Sequence, residues 1–120
     1  MPVVLETIKK RRSIRRFRSD PVSQGIIRKL LEAACWAPSA GNLQPWAFYV
    51  VTSPALKKDL AAVASQRFVG EAPVVIVVCV VPERSAVHYG ERGKNLYCLQ
   101  DTAAAVQNIL LTATSLGLGA

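Results

Sequence analysis

Two runs of this chain read as β-strands, and their scarcity constrains the fold more than any other feature. Trp46–Thr52 is aromatic and β-branched, the composition of a pleated, half-buried strand. Pro73–Val81 is a continuous apolar run rich in valine and predicts a central strand buried on both faces. Helical patterns surround them. Val4, Leu5 and Ile8 predict a short amphipathic helix running into a basic stretch, broken at Ser19-Asp20-Pro21. Ser23 caps a second helix with Ile26, Ile27, Leu30, Leu31 and Ala34 on one face, ending before Pro38. Ser53-Pro54 opens a third helix of about 12 residues, serine as the cap and proline in the first turn. From about Asn95 a long helix follows, with Leu99, Ala103, Val106, Leu110, Ala113 and Leu116 at three- and four-residue steps and Gly117 as its stop. Residues 83–94 are polar, contain Gly90 and Gly93, and read as a mobile loop.

The resulting order, α, α, β, α, β, α, predicts a mixed layer protein with helices covering a small sheet. Two strands make a poor sheet alone. The sequence closes on Leu116-Gly117-Leu118-Gly119-Ala120, where a third strand is due, so the expectation is the front part of a longer domain.

Composition narrows the function classes. The 120 residues are 51% hydrophobic and 19% charged, which excludes a disordered tail. Three cysteines with no close pair do not form a disulfide framework, and they read as small buried apolar residues of a reducing, cytoplasmic protein. His88 is the one histidine, and no Cys/His spacing suits a metal. The apolar run Val74–Val81 falls far short of the roughly 20 residues of a membrane helix, and the start Met1–Glu6 does not read as a signal peptide. The net charge of +7 is unevenly placed. Residues 1–30 hold nine cations against two anions, and the remaining residues six against six. An anionic partner near the N-terminus is therefore the first functional question: nucleic acid, an anionic membrane, a small phosphate ligand, or simply a solvated face.

Two segments carry chemistry. Arg11-Arg12-Ser13-Ile14-Arg15-Arg16-Phe17 combines guanidinium forks with a hydroxyl, a set suited to phosphate oxygens. A nucleic-acid arm would interleave more exposed aromatics than the single Phe17. The loop Pro38-Ser39-Ala40-Gly41-Asn42-Leu43-Gln44-Pro45 offers side-chain amides, a hydroxyl and backbone N–H groups to the edge of a flat polar heterocycle, with two prolines to stiffen it. Trp46, at a strand start, reads as core.

Together, RRSIRRF, then PSAGNLQPW one helix later, then a long Ala-rich helix ending in SLGLGA resemble the nitroreductase family of FMN-dependent oxidoreductases across essentially the whole chain. The resemblance implies an α+β fold, a three-layer α/β/α sandwich with a small mixed sheet, in which two subunits intertwine as a homodimer around two FMN molecules. By that resemblance Arg11, Arg12, Ser13 and Arg15 hold the FMN phosphate and ribityl chain and reach the flavin; Arg15 is the candidate to stabilise negative charge near the pyrimidine side of the reduced ring. Pro38, Ser39, Ala40, Asn42 and Gln44 meet the flavin from the other subunit. Family members continue beyond the GLG segment with a further strand. The implied activity is hydride transfer from NAD(P)H through flavin to a small-molecule acceptor, a nitroaromatic, quinone or similar compound. No protein nucleophile or acid–base pair is required, which agrees with the lack of a Ser/His/Asp or Cys/His set in the sequence.

Competing readings remain. A basic nucleic-acid-binding module would use residues 9–18. A specialised relative of the same family, a flavin-destructase or a biosynthetic dehydrogenase, would differ in its acceptor loops. Gly117-x-Gly119 follows a helix, so it reads as a helix stop and not as a dinucleotide fingerprint. His88, in the polar stretch, reads as exposed or at a substrate mouth, and Tyr89 and Tyr97 as packing residues or pocket lining.

Overall fold

The computed structural model describes residues 2–120. Six helices and two strands follow one another: α1 (Val3–Lys10), α2 (Gln24–Cys35), β1 (Trp46–Val51), α3 (Pro54–Ala64), α4 (Arg67–Glu71), β2 (Val75–Val80), α5 (Pro82–Arg92) and α6 (Cys98–Ser115). A 3₁₀ turn at Ala40–Asn42 precedes β1, and a π-helical turn at Gly93–Tyr97 joins α5 to α6.

The helix boundaries follow from local chemistry. Ser23 Oγ accepts from Ile26 N at 3.2 Å and Ser53 Oγ from Leu56 N at 3.4 Å, each satisfying an orphan donor of a first turn. At the end of α6, Leu118 N donates to Ala113 O at 2.8 Å and Gly117 N to Thr114 O at 3.1 Å, with Gly117 at φ 77°. That is the paired bonding of a Schellman stop, with Leu118 folded back onto the core.

β1 and β2 pair antiparallel, Trp46 opposite Val80 through Val51 opposite Val75. The α+β class is as expected, but the sheet within these residues is this one antiparallel pair, where a small mixed sheet is expected. A mixed sheet needs at least three strands. The core lies on one face of the pair: Trp46 packs with Leu30, Ala34 and Ala37 and with Ala105, Ile109 and Ala113 of α6, flanked by Phe48, Ile76 and Val78. Asn108 Nδ2 donates to Ala33 O at 2.9 Å and ties α6 to the end of α2.

Five expectations need correction. β2 is half-buried along its whole length and not sealed on both faces, because it has one strand neighbour. The first helix stops at Lys10, well before Ser19, and residues 11–23 run without regular structure. The polar stretch 83–94 is not a loop: it forms α5 and enters the π turn. Gly90 allows this by a sharp internal bend at φ 58°, ψ −139°, a conformation closed to residues with a Cβ. Finally, the inward face of α6 is Cys98, Asp101, Thr102, Ala105, Ile109 and Ala113. Of the predicted stripe only Ala113 is buried, while Leu99 is 53% exposed. Cysteine burial is also mixed: Cys98 is buried, Cys79 intermediate and Cys35 exposed.

Candidate functional site

The predicted loop is built as a tightly held turn. Ser39 organises it from within: its carbonyl accepts from Asn42 N at 2.9 Å, and its Oγ accepts from Gln44 N at 3.0 Å. Three residues have left-handed backbone, Gly41 at φ 61°, Asn42 at 54° and Gln44 at 49°. Asparagine tolerates this region, but glutamine there costs on the order of 1 kcal/mol, which surrounding contacts must offset. Those contacts come from α6, from α5 and from Val81 just before α5. Asp101 Oδ2 accepts from Ala40 N at 3.2 Å. Thr102 Oγ1 donates to Pro45 O at 3.3 Å, and the same carbonyl accepts from Val81 N at 2.8 Å. Arg84 Nη1 donates to Gln44 O and Trp46 O, both at 3.0 Å. Gly41 lies beneath Tyr89, whose hydroxyl would stand 2.9 Å from any Cβ added there. Tyr89 in turn meets His88 and Tyr97 edge-on at 5.1 and 5.2 Å, while Arg92 Nε donates to Tyr97 Oη at 2.6 Å.

On the outer side of the loop Gln44 Nε2 donates to Asn42 Oδ1 at 3.2 Å. That bond leaves the Asn42 amide nitrogen and the Gln44 amide oxygen, one donor and one acceptor group, for a ligand edge. Pro38 and Asn42 are exposed and Ser39, Ala40 and Gln44 half-buried, so all five predicted loop residues keep some solvent access within one turn.

The basic segment is built differently. Arg12 Nη1 is turned onto the carbonyls of Lys9 and Arg11 at 2.7 and 2.8 Å. Ile14 N donates to Ala120 O at 2.9 Å. Phe17 packs against Phe68 with ring centroids 6.3 Å apart, and the Arg15 guanidinium lies 6.0 Å from the same ring. Arg18 pairs with Asp20 at 2.6 Å. No carboxylate pairs with Arg11, Arg12 or Arg15 among the described residues, and Ser13 is exposed. This donor set, cationic forks and a hydroxyl uncompensated by acid, fits a phosphate group. Beside it runs an apolar groove of about 620 Å³ lined by Ile14, Arg16, Phe17, Ile76, Val106 and Leu110, among others. Arg11, Arg12, Ser13 and Arg15 do not line that groove.

The loop and the groove beside the basic segment meet α6 at different levels. Asp101, under the loop, and Ala113, beside the basic segment's groove, stand roughly 18 Å apart along the axis of α6 at 1.5 Å per residue. The residues that sequence reasoning passed over are Asp101, Thr102 and Arg84. A carboxylate and a hydroxyl in register with Cys98 and Ala105 were the available signal; Arg84 gave none. Among the described residues no group of His, Cys, Asp and Glu could hold a metal, and no helix is long and apolar enough to cross a membrane.

The nitroreductase family profile matches residues 8–67 and 61–120. The NADH dehydrogenase of Thermus thermophilus is 53% identical over 83 residues, covering 68% of this chain and 40% of that protein. A protein of Archaeoglobus fulgidus, provisionally named NADH dehydrogenase/NAD(P)H nitroreductase, is 42% identical over 120 residues, covering 99% of this chain and 66% of its own. The chain thus spans less than two thirds of the length of these curated relatives. Among solved structures, the NADPH:FMN oxidoreductase from Vibrio harveyi complexed with NAD+ superposes with a TM-score of 0.85 at 30% identity, covering 97% of this chain and 53% of that one.

Proposed function

Since the chain belongs to the nitroreductase family, we propose that it is the FMN-binding portion of a cytoplasmic NAD(P)H-dependent oxidoreductase that works as a homodimer. The observation that carries this reading is the division of the site. A preorganised polar loop sits at one end of α6, and the groove beside an uncompensated cationic segment lies near the other; in this reading each would meet one part of FMN. Two copies related by a two-fold axis would bring the loop of one to the basic segment of the other. The name of the Vibrio harveyi relative supports the cofactor and the donor class.

In this reading Arg11, Arg12, Ser13 and Arg15 bind the phosphate and ribityl chain, and Arg15 offers positive charge to the ring as it becomes reduced. Pro38, Ser39, Ala40, Asn42 and Gln44 orient the ring from the partner subunit. The bound FMN would supply the redox chemistry, accepting hydride from NAD(P)H and passing it to a nitroaromatic, quinone or similar acceptor. The protein's own task is to bind, orient and bias charge. No side chain of this chain is assigned a proton-transfer step.

A visible absorption spectrum of the purified protein, after equilibration with FMN, tests the proposal. A flavin band that bleaches anaerobically with NADH or NADPH is expected. A colourless protein that binds DNA or RNA with steep salt dependence would replace it with the nucleic-acid reading.

A further inference from the structure

We propose that Asp101 is a positioning residue of the candidate site: its carboxylate fixes the turn that presents Asn42 and Gln44. The inference rests on the FMN reading for its functional consequence and on this chain's geometry for its cause. Asp101 is only 9% exposed, and no cation pairs with it among the described residues. An inward helical position in contact with a packed core is ordinarily apolar, since a buried carboxylate loses hydration. Here the carboxylate has a specific partner, the N–H of Ala40 at 3.2 Å, which begins the 3₁₀ turn. The next residue, Thr102, donates to Pro45 O at 3.3 Å. Consecutive residues of one rigid helix therefore hold both ends of the loop with opposite polarity, an acceptor at its start and a donor at its finish. Between these two bonds lie the left-handed residues Gly41, Asn42 and Gln44. A hydrogen bond to a charged acceptor is stronger than a neutral one, which suits a bond that must hold a chain against its backbone preference. Asp101 acts on the ligand through Ala40 and the turn, without touching the ligand itself.

Amide hydrogen exchange on the apoprotein, with FMN titration of the same variants, tests this. Asp101→Ala should raise exchange at residues 40–44 about tenfold or more and leave residues 27–34 of α2 unchanged, a local opening and not global unfolding. FMN should bind about tenfold more weakly, with an altered flavin band. Asp101→Asn keeps an acceptor oxygen but not the charge, so both readings should fall between wild type and Asp101→Ala, with exchange about two- to fivefold above wild type. Wild-type exchange in Asp101→Ala, or an Asn variant no better than the Ala variant, would overturn the assignment. If Asp101→Ala does not fold, an Asn variant with wild-type exchange overturns it alone. A wild-type protein that binds no FMN would defeat the cofactor reading, while the exchange measurement would still decide the role of Asp101.

Discussion

The loop 38–45 and the segment 11–23 carry the two halves of the candidate site on opposite plans. The loop is held at both ends by α6, roofed by Tyr89 and fixed internally by Ser39. The segment has one backbone bond to Ala120, contacts of Phe17 and Arg15 with Phe68, local bonds of Arg12 to nearby carbonyls and an exposed ion pair, and among the described residues Arg11, Arg12 and Arg15 have no acidic partner. A planar ring demands shape, and shape requires backbone fixed before binding. A phosphate demands charge, which flexible side chains supply on arrival. The contrast predicts that substitutions in the loop cost folding stability together with affinity, whereas substitutions in the segment cost affinity alone.

The sharpest break would come from Gly41→Val. A β-branched residue at φ 61°, facing Tyr89 at 2.9 Å, should destabilise the protein by about 2–3 kcal/mol in denaturant unfolding. A variant as stable as wild type would remove the distinction between the two regions. Thr102→Val, which leaves the hydroxyl's place beside Pro45 O filled by a methyl group, should cost about 1–2 kcal/mol, with weaker FMN binding in the same preparation. At the other extreme, Arg11→Ala and Arg15→Ala should each change stability by no more than about 0.5 kcal/mol. Each should nonetheless raise the FMN dissociation constant about tenfold. If either arginine variant melts like Gly41→Val, the segment is structural and the comparison fails.

Much of this design was legible from residue types. The serine caps at Ser23 and Ser53 and the Gly117 stop are local signals, and local chemistry sufficed to place them. Trp46 was rightly assigned to the core. What failed was set by distant partners. Arginines favour helix, yet residues 11–18 are irregular, with Ile14 bonded to Ala120 at the far end of the chain. α6 is apolar on more than one face, so periodicity alone could not choose between the Leu99 stripe and the Ala105 stripe; the choice fell to the side carrying Asp101 and Thr102, whose partners lie some 60 residues earlier. The two glycines in 83–94 suggested a loop because glycine weakens helices, but Gly90 serves as a bend within α5. Among the site residues, the five loop positions are neighbours within one turn whose outward amides residue type made legible, while the proposed meeting of that turn with the arginines of a second copy has no single-chain pattern to encode it.

One consequence concerns α6 as a gauge. Its 18 residues amount to about 27 Å of nearly inextensible rod, with the clamp at one tip and the groove beside the cationic segment near the other. Adding a single residue in the middle would lengthen the rod by only about 1.5 Å but swing one tip by about 100° relative to the other. The residue count of this one helix therefore sets how Asp101 and Thr102 at one tip face relative to the groove near the other.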